Sequence, residues 1–443
     1  MRGSVPSHRV YRIPPALAGW LQFARALRSR PFALLWAGQT ISVLGDAVFT
    51  IAITWEVLIL TGSSTAMSLL VIAQWAPKVL LLAFGGVIAD RLPRRLLMLW
   101  ADAGRGCIVF VVAWLAWTHA LQFWHLLALA PLFGMVSSFF DPAYQAFMPQ
   151  LVEQESLASV NALTTLSRNI GFLVGPLLSA ASIALAGPAS AFAFDGFTFL
   201  FSVLCLLALH LPRSSAAPAS QVSPPVAPGG ENATAKGVLG GISDAREGLR
   251  YVFGIPWLWV TTLVFALASI GFGGSMWVAL PRLVYDVYHT GVWLIGAMAT
   301  SDAVGSIIAA LALGNARKLR HRGIVAYASI IVIGFALAAC ALPLPRAVEP
   351  VVAIIASALV GSGVATFMII WGTLQQEKVP NEYLGRVSSI TQLGVAVALP
   401  GGLVLAGLLA DHIGPAQVFA IGGVLALVPA VVGLCVRDIR RVE

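Results

Sequence analysis

The chain of 443 residues is 58% hydrophobic and only 10% charged, with a mean hydropathy of +0.87, whereas soluble domains carry about 25% charged residues. A chain this apolar cannot hide its surface from water, which excludes a soluble enzyme and makes the lipid bilayer its solvent. The formal net charge of +8, from 27 Lys and Arg against 19 Asp and Glu, points to an anionic membrane surface rather than to nucleic acid, because the basic residues lie between long apolar runs.

In chain order, a basic leader over residues 1–31 holds six arginines but no short apolar region with a cleavage site, so no removed signal peptide is expected. Twelve apolar runs, each long enough to cross a core of about 30 Å, follow: Phe32–Leu60, Thr65–Ala89, Leu96–Trp117, Trp124–Phe140, Asn161–Ala186, Ser190–Leu211, Trp257–Tyr285, Val292–Leu313, Ile324–Leu342, Val351–Leu374, Val387–Ala410 and Gln417–Val436. Between the sixth and seventh, Pro, Ser, Ala and Gly dominate a stretch that cannot bury enough apolar surface to fold. The expected fold is an all-α integral membrane protein of twelve transmembrane helices in two six-helix, pseudo-symmetric halves. The expected segments are a leader (1–31), an N-terminal half (32–211), a linker (212–250), a C-terminal half (251–437) and a tail (438–443). With both termini cytoplasmic, 22 of the 27 Lys and Arg fall on cytoplasmic segments, and only Arg282 and Arg346 fall on outer ones. That predicts a multi-pass protein of the cell's inner (plasma) membrane.

An internal repeat supports the two halves. A shift of 227 residues aligns Val152, Glu155, Leu157 and Val160 with Val379, Glu382, Leu384 and Val387, and Gly175 with Gly402. At a shift one residue shorter, Asp90 to Arg95 falls on Ala316 to His321, where basic residues persist and the acid does not. Two such halves imply a two-fold axis along the membrane normal and a central cavity between them.

Ionisable residues inside a span cost at least about 2.5 kcal/mol each, so each asks for a partner or a task. Counting about 1.5 Å per residue from the cytoplasmic ends puts Asp46 roughly 21 Å deep, Lys78 roughly 18 Å and Asp302 roughly 20 Å. Asp46 and Lys78 are expected either to pair structurally or to serve in proton coupling or substrate binding. Asp302 has no basic residue at its level in the second half, and is expected to couple protons, bind a cation, or be satisfied by a hydroxyl or backbone group. Glu56 corresponds in the repeat to Arg282, and the two are expected to form an outer gate, unless each merely snorkels to water. Asp102 and Arg105 stand at i,i+3, with Arg168 at similar depth, and read as a structural triad. Asp195 lies near the outer interface and carries little expectation. Gly271, Gly273 and Gly274 fall near Asp46 in the repeat and permit a bend in span seven. Trp36, Trp55, Trp75 and Trp371, with Phe49, Gln39, Gln74 and Gln375, are expected to build an apolar pocket with few polar anchors, or else to face lipid. Four cysteines inside apolar runs show no disulfide or metal spacing, so neither a metal site nor a cofactor is expected.

Gly86-Val-Ile-Ala-Asp90-Arg91-Leu-Pro-Arg94-Arg95 resembles motif A of the major facilitator superfamily, in which this loop latches the cytoplasmic side. Its physics is close helix approach at glycine and a carboxylate at a helix end facing basic groups or a helix N-terminus; positive-inside charge alone accounts for the arginines but not for Gly86 and Asp90. Phe139 to Ala143, Leu151 to Leu163 and Val379 to Val387 are similar to the enterobactin-exporter-like and macrolide-efflux-like branch, over Arg30 to about Arg437. Tyr144 departs from the arginine usual there. Gly171, Gly175 and Pro176 resemble motif C of exporting members, with Ser179-Ala180 in place of the usual glycine pair; generic small-residue packing is the plainer alternative.

The resemblance implies a secondary exporter that moves an amphipathic small molecule, such as a drug or siderophore, against proton entry by alternating access. The alternative is an importer or facilitator on the same fold without proton antiport. A lipid-acting membrane enzyme is disfavoured because the seven histidines are scattered at span ends and tails, and no phosphate-binding Gly-x4-Gly-Lys-Ser/Thr motif is present to support ATP hydrolysis. The expected partners are a small-molecule substrate, protons and the bilayer, with no nucleic acid, and the protein is expected to be a monomer.

Overall fold

The structure, a computed structural model, describes residues 26–209, 247–315 and 320–441, with the side chains of 82–91, 155, 393, 396 and 397 outside the description. The leader up to residue 25, most of the linker and residues 316–319 of the repeated basic loop therefore lie outside the described residues. Twelve long helices follow one another: α1 (Arg30–Thr61), α2 (Ser64–Arg91), α3 (Arg94–Trp117), α4 (Phe123–Phe147), α5 (Leu157–Ala186) and α6 (Pro188–Ala208), then α7 (Pro256–Val287), α8 (Val292–Gly314), α9 (Arg322–Cys340), α10 (Glu349–Lys378), α11 (Asn381–Ile413) and α12 (Pro415–Gly433). Eleven are long and apolar enough to cross a membrane, and the twelfth, α11, contributes the apolar stretch Ala398–Ile413. The expected spans match these helices to within about four residues, except that α4 runs on to Phe147, past the last purely apolar turn, and α11 begins at Asn381, six residues before the expected Val387.

Local chemistry sets the ends. Gly62, at φ 61°, closes α1 with its N–H on the Leu58 carbonyl, the left-handed position that glycine fills without strain. Gly187 and Gly414, at φ 77° and 99°, each make a one-residue turn into a helix opened by proline, at Pro188 and Pro415. These two turns are 227 residues apart, the same spacing as the sequence repeat.

The halves are built alike. In the first, α1 packs on α5 and α6, α3 on α4 and α6, and α2 on α4; in the second, α7 packs on α11 and α12, α9 on α10 and α12, and α8 on α10. The repeat extends to single contacts. A Cβ on Gly134 of α4 would lie 2.0 Å from the Gln74 carbonyl oxygen of α2, and one on Gly361 of α10 would lie 2.0 Å from the Asp302 oxygen of α8. Such approach of backbones needs glycine and is the usual way that helices associate in lipid. Helix α7 is irregular: from Gly274 it passes into π-helical turns over Gly274–Ala279 and again over Leu283–Val287, beginning at the glycine cluster where a bend is expected.

The most extensive packing between the halves is made by two helix pairs, α2 with α11 and α5 with α8, and these are equivalent under the repeat. One end of the bundle carries both basic loops and the short helix Arg437–Arg441; this is the basic end, and the opposite one is the far end. The described contacts between the halves gather towards the far end. Thr300 Oγ1 donates to the Leu173 carbonyl at 3.0 Å, Gly296 sits against Pro176 and Ala180, and Gly407 against Ser64, Thr65 and Ser68. Trp55 meets Tyr285 edge-on at 5.9 Å.

Candidate functional site

Within the first half, α1, α3 and α6 hold a buried polar network. Asp102 pairs with Arg105 one turn along α3, and accepts a 2.6 Å hydrogen bond from Ser202 Oγ on α6, which in turn accepts one from Gln39 Nε2 on α1 at 3.1 Å. The Arg105 guanidinium lies 4.5 Å above the Phe140 ring and 4.6 Å above Phe199, an arrangement in which the ring quadrupoles stabilise the cation. Arg168 is exposed, so the expected triad is instead a pair completed by Ser202 and Gln39. Tyr144 stacks on Phe140 at 5.9 Å.

Asp46 borders this network. Its neighbour Gly45 brings α1 so close to α6 that a Cβ there would lie 2.1 Å from Thr198 Oγ1 and 2.4 Å from Asp195 Oδ1. Asp46 is half-buried and within electrostatic reach of Arg105, Asp102, Asp141 and Lys78. Asp195 is fully buried, accepts from Thr198 Oγ1 at 3.3 Å, and leaves Oδ2 without a hydrogen-bond partner. Its nearness to the outer interface concealed this role. The available signal was the polar stripe Asp195, Thr198, Ser202 at helical spacing on α6.

Lys78 does not pair with Asp46. Its ammonium lies 3.3 Å from Asp141 Oδ2 on α4, with both side chains well exposed at 41% and 58%. Equal depth on two helices fixes the level of two side chains and not the direction in which each points, and Lys78 points to α4. An exposed ion pair inside a span is favoured where water, rather than lipid, reaches it.

In the second half, Ser301 Oγ donates to the Ile354 carbonyl at 2.8 Å and Ser306 Oγ to Gly361 at 3.0 Å. These bonds clamp α8 to α10 on either side of Asp302. The Asp302 side chain is half-buried and has no hydrogen bond or ion pair among the described residues. The equivalent of Asp195 in this half is Gly422, which meets Gly271, so the acid cluster exists on one side only.

The expected aromatic pocket is dispersed. Phe49 stacks on Phe133 at 5.7 Å inside the first half. Trp371 lies against Phe367 and Trp257 inside the second. Trp36 donates to the Leu163 carbonyl at 3.3 Å, and Gln39 is taken by Ser202. Trp75 alone of that set reaches across the interface at mid-depth, 6.4 Å from Trp277, which meets Phe272 at 5.9 Å.

The expected Glu56–Arg282 gate does not form. Arg282 pairs with Asp411 and, at 2.8 Å, with Asp286, while Glu56 lies buried near His119 in its own half. Within the motif A segment, Arg94 donates to the Ala146 carbonyl at 2.7 Å, and Arg95 to Leu206 and Leu207 at 2.8 and 3.0 Å. Both arginines therefore satisfy the C-terminal carbonyls of α4 and α6, where a cation is favoured by the helix dipole. Gly86, Asp90 and Arg91 lie on the last turns of α2, and their side chains fall outside the described residues. Gly171 and Gly175 seat α5 on Val43 and Ala47 of α1, while Pro176 faces Gly296 of α8. The motif C-like segment thus serves packing within the half on one face and the seam between halves on the other.

The sequence pattern of the Major Facilitator Superfamily matches residues 35–402. The chain belongs to the Major Facilitator Superfamily. It is 25% identical over 415 residues to macrolide efflux protein A of Streptococcus pyogenes, covering 93% of this chain and 97% of that one. It is also 25% identical over 427 residues to the multidrug efflux pump Tap of Mycolicibacterium fortuitum, covering 93% and 96%. Among solved structures it resembles a bacterial homologue of the iron transporter ferroportin in an inward-facing state, with TM-score 0.70 at 17% identity over 92% of this chain and 98% of that one, a likeness of fold. This superfamily member is a multi-pass membrane transporter of small molecules, not an enzyme.

Proposed function

We propose that this transporter is a proton-coupled exporter, an antiporter that carries an amphipathic small molecule out of the cell by alternating access. The observation that carries the reading is a pair of mid-depth acids: Asp302, with no hydrogen bond or ion pair among the described residues, and Asp46, within electrostatic reach of the exposed Lys78–Asp141 pair. Acids at that depth are the groups able to take up a proton in one state and give it back in the other. The Lys and Arg distribution supports a cytoplasmic basic end and two cytoplasmic termini in the plasma membrane, which makes the present conformation open to the cytoplasm. Efflux relatives matched along nearly the whole chain support the outward direction.

Trp75, Trp277 and Phe272 form an aromatic wall shared by both halves, and Lys78 lies one turn from Trp75 on the same face of α2. A cargo with an apolar body and one polar or charged group fits this combination. The Asp90 segment at the basic end of α2 serves as the inner latch, closing when the far end opens.

The test uses inverted vesicles energised by respiration, with an internal pH dye and a panel of macrolides, tetracyclines, quinolones, siderophores and organic cations. Collapse of the gradient by a compound in wild type, lost in Asp302→Asn or Asp46→Asn, supports proton antiport. Solute exchange with no proton movement in wild type overturns it in favour of a facilitator.

A further inference from the structure

At the far end, the last turn of α11 lies across the first turn of α2. Asp411 Oδ2 accepts from Ser63 Oγ at 2.6 Å and from the Thr65 amide at 3.0 Å, and Oδ1 accepts from the Ser64 amide at 2.8 Å. The two amides are among the first donors of α2, which have no partner within their own helix. On its other side Asp411 meets Arg282 of α7, which is itself steadied by Asp286. One turn earlier Gly407 lets the backbones approach, since a Cβ there would lie 2.8 Å from the Ser64 carbonyl oxygen. An acid in the last turn of its own helix is disfavoured by the helix dipole, whereas the same acid at the first turn of another is favoured. Asp411 is therefore best placed while α2 sits on it, since without α2 it keeps Arg282 but loses three donors.

We infer that Asp411 is the outer latch of this transporter: it caps the N-terminus of α2 across the two halves, holds the far end closed, and releases α2 each time the far end opens. The inference rests on alternating access as proposed above. Asp411 touches no cargo and is a positioning residue. The latch is one-sided, because the repeat places Ala184 at the equivalent position of α5, and the α5–α8 seam closes instead through Gly296 on Pro176 and Ala180. Opening at the far end then breaks a charge-assisted cap on the α2–α11 side, and on the other side small-residue contacts with one neutral hydrogen bond, Thr300 Oγ1 to the Leu173 carbonyl.

Spin-label distances test this in proteoliposomes of the full chain with Cys107, Cys205, Cys340 and Cys435 replaced by Ala. Thr118→Cys with Ala347→Cys reports the far end, and Glu153→Cys with Lys378→Cys the basic end; all four positions are exposed. The expected result for Asp411→Ala is a fall of at least about tenfold in the ratio of short to long far-end distances, with the basic-end distance shortening in step. Ser63→Ala, which removes one of the three donors at the N-terminus of α2, gives a smaller shift in the same direction. Asp411→Asn keeps the side-chain shape, and is read in place of Asp411→Ala if that variant fails to fold. Unchanged distances in the Asp411 variant, or far-end lengthening without basic-end shortening, overturn the latch while leaving transport intact. Distances that exchange in no variant and with no substrate overturn alternating access, and the latch with it.

Discussion

Arg105→Gln is the substitution whose cost the structure fixes best. It removes the guanidinium between Phe140 and Phe199 and leaves Asp102, which is fully buried, with Ser202 Oγ as its remaining donor. Removing one partner of a buried ion pair costs about 3–5 kcal/mol, because the other charge stays desolvated, and loss of the desolvated cation–π contacts adds about 2 kcal/mol. Asp102→Asn alone strands the arginine in the same way. The double variant loses no charge balance and keeps an amide to accept from Ser202, so its cost is expected to fall below either single one. Thermal unfolding of the purified protein in one detergent, over the four corners of the cycle, gives the coupling energy. A coupling below about 0.5 kcal/mol, the range of independent sites, refutes the reading of this pair as a structural anchor. Efflux by the single variants is expected to fall only in proportion to folded protein; a transport loss at unchanged stability equally contradicts it.

Two further outcomes follow from the seam. Trp75→Ala removes one ring of the Trp75–Trp277 contact, and at about 0.5–1.5 kcal/mol for an aromatic pair it is expected to raise the apparent KM for aromatic cargo roughly two- to tenfold with maximal rate retained, read from dose-dependent dye efflux. Gly296→Leu places a side chain where a Cβ already lies 2.8 Å from the Pro176 oxygen, at an overpacking cost of about 1–3 kcal/mol; it is expected to prop the α5–α8 seam apart and increase thiol labelling of Thr300→Cys from outside, and labelling equal to wild type refutes it.

The twelve helices were legible because bilayer thickness dictates a minimum apolar length, and the halves because Val152, Glu155, Leu157 and Val160 match Val379, Glu382, Leu384 and Val387 across a polar linker; the equivalent contacts of Gly134 and Gly361 and turns of Gly187 and Gly414 appear only in the structure. The partners of the buried charges were not. Counting along helices gives depth but no azimuth, so Asp46 and Lys78 share a level yet Lys78 faces Asp141, and Glu56 matches Arg282 in the repeat yet Arg282 faces Asp411. Asp195 carried little weight because it lies near the outer interface, a position that says nothing of the helix that covers it. Asp411 ends a span where acids are common, and its meaning lies in the first turn of a helix almost 350 residues away. The π-helical turns of α7 left only their glycines as a sign.

The most direct test is uphill transport in proteoliposomes holding this protein alone, with a cargo identified in the vesicle screen and an imposed pH gradient as the sole driving force. Proton antiport requires cargo to accumulate on the acidic side above its external concentration, and this accumulation to vanish in Asp302→Asn while downhill exchange of the same cargo persists. Equal distribution of cargo in the wild type, whatever the gradient, would contradict it.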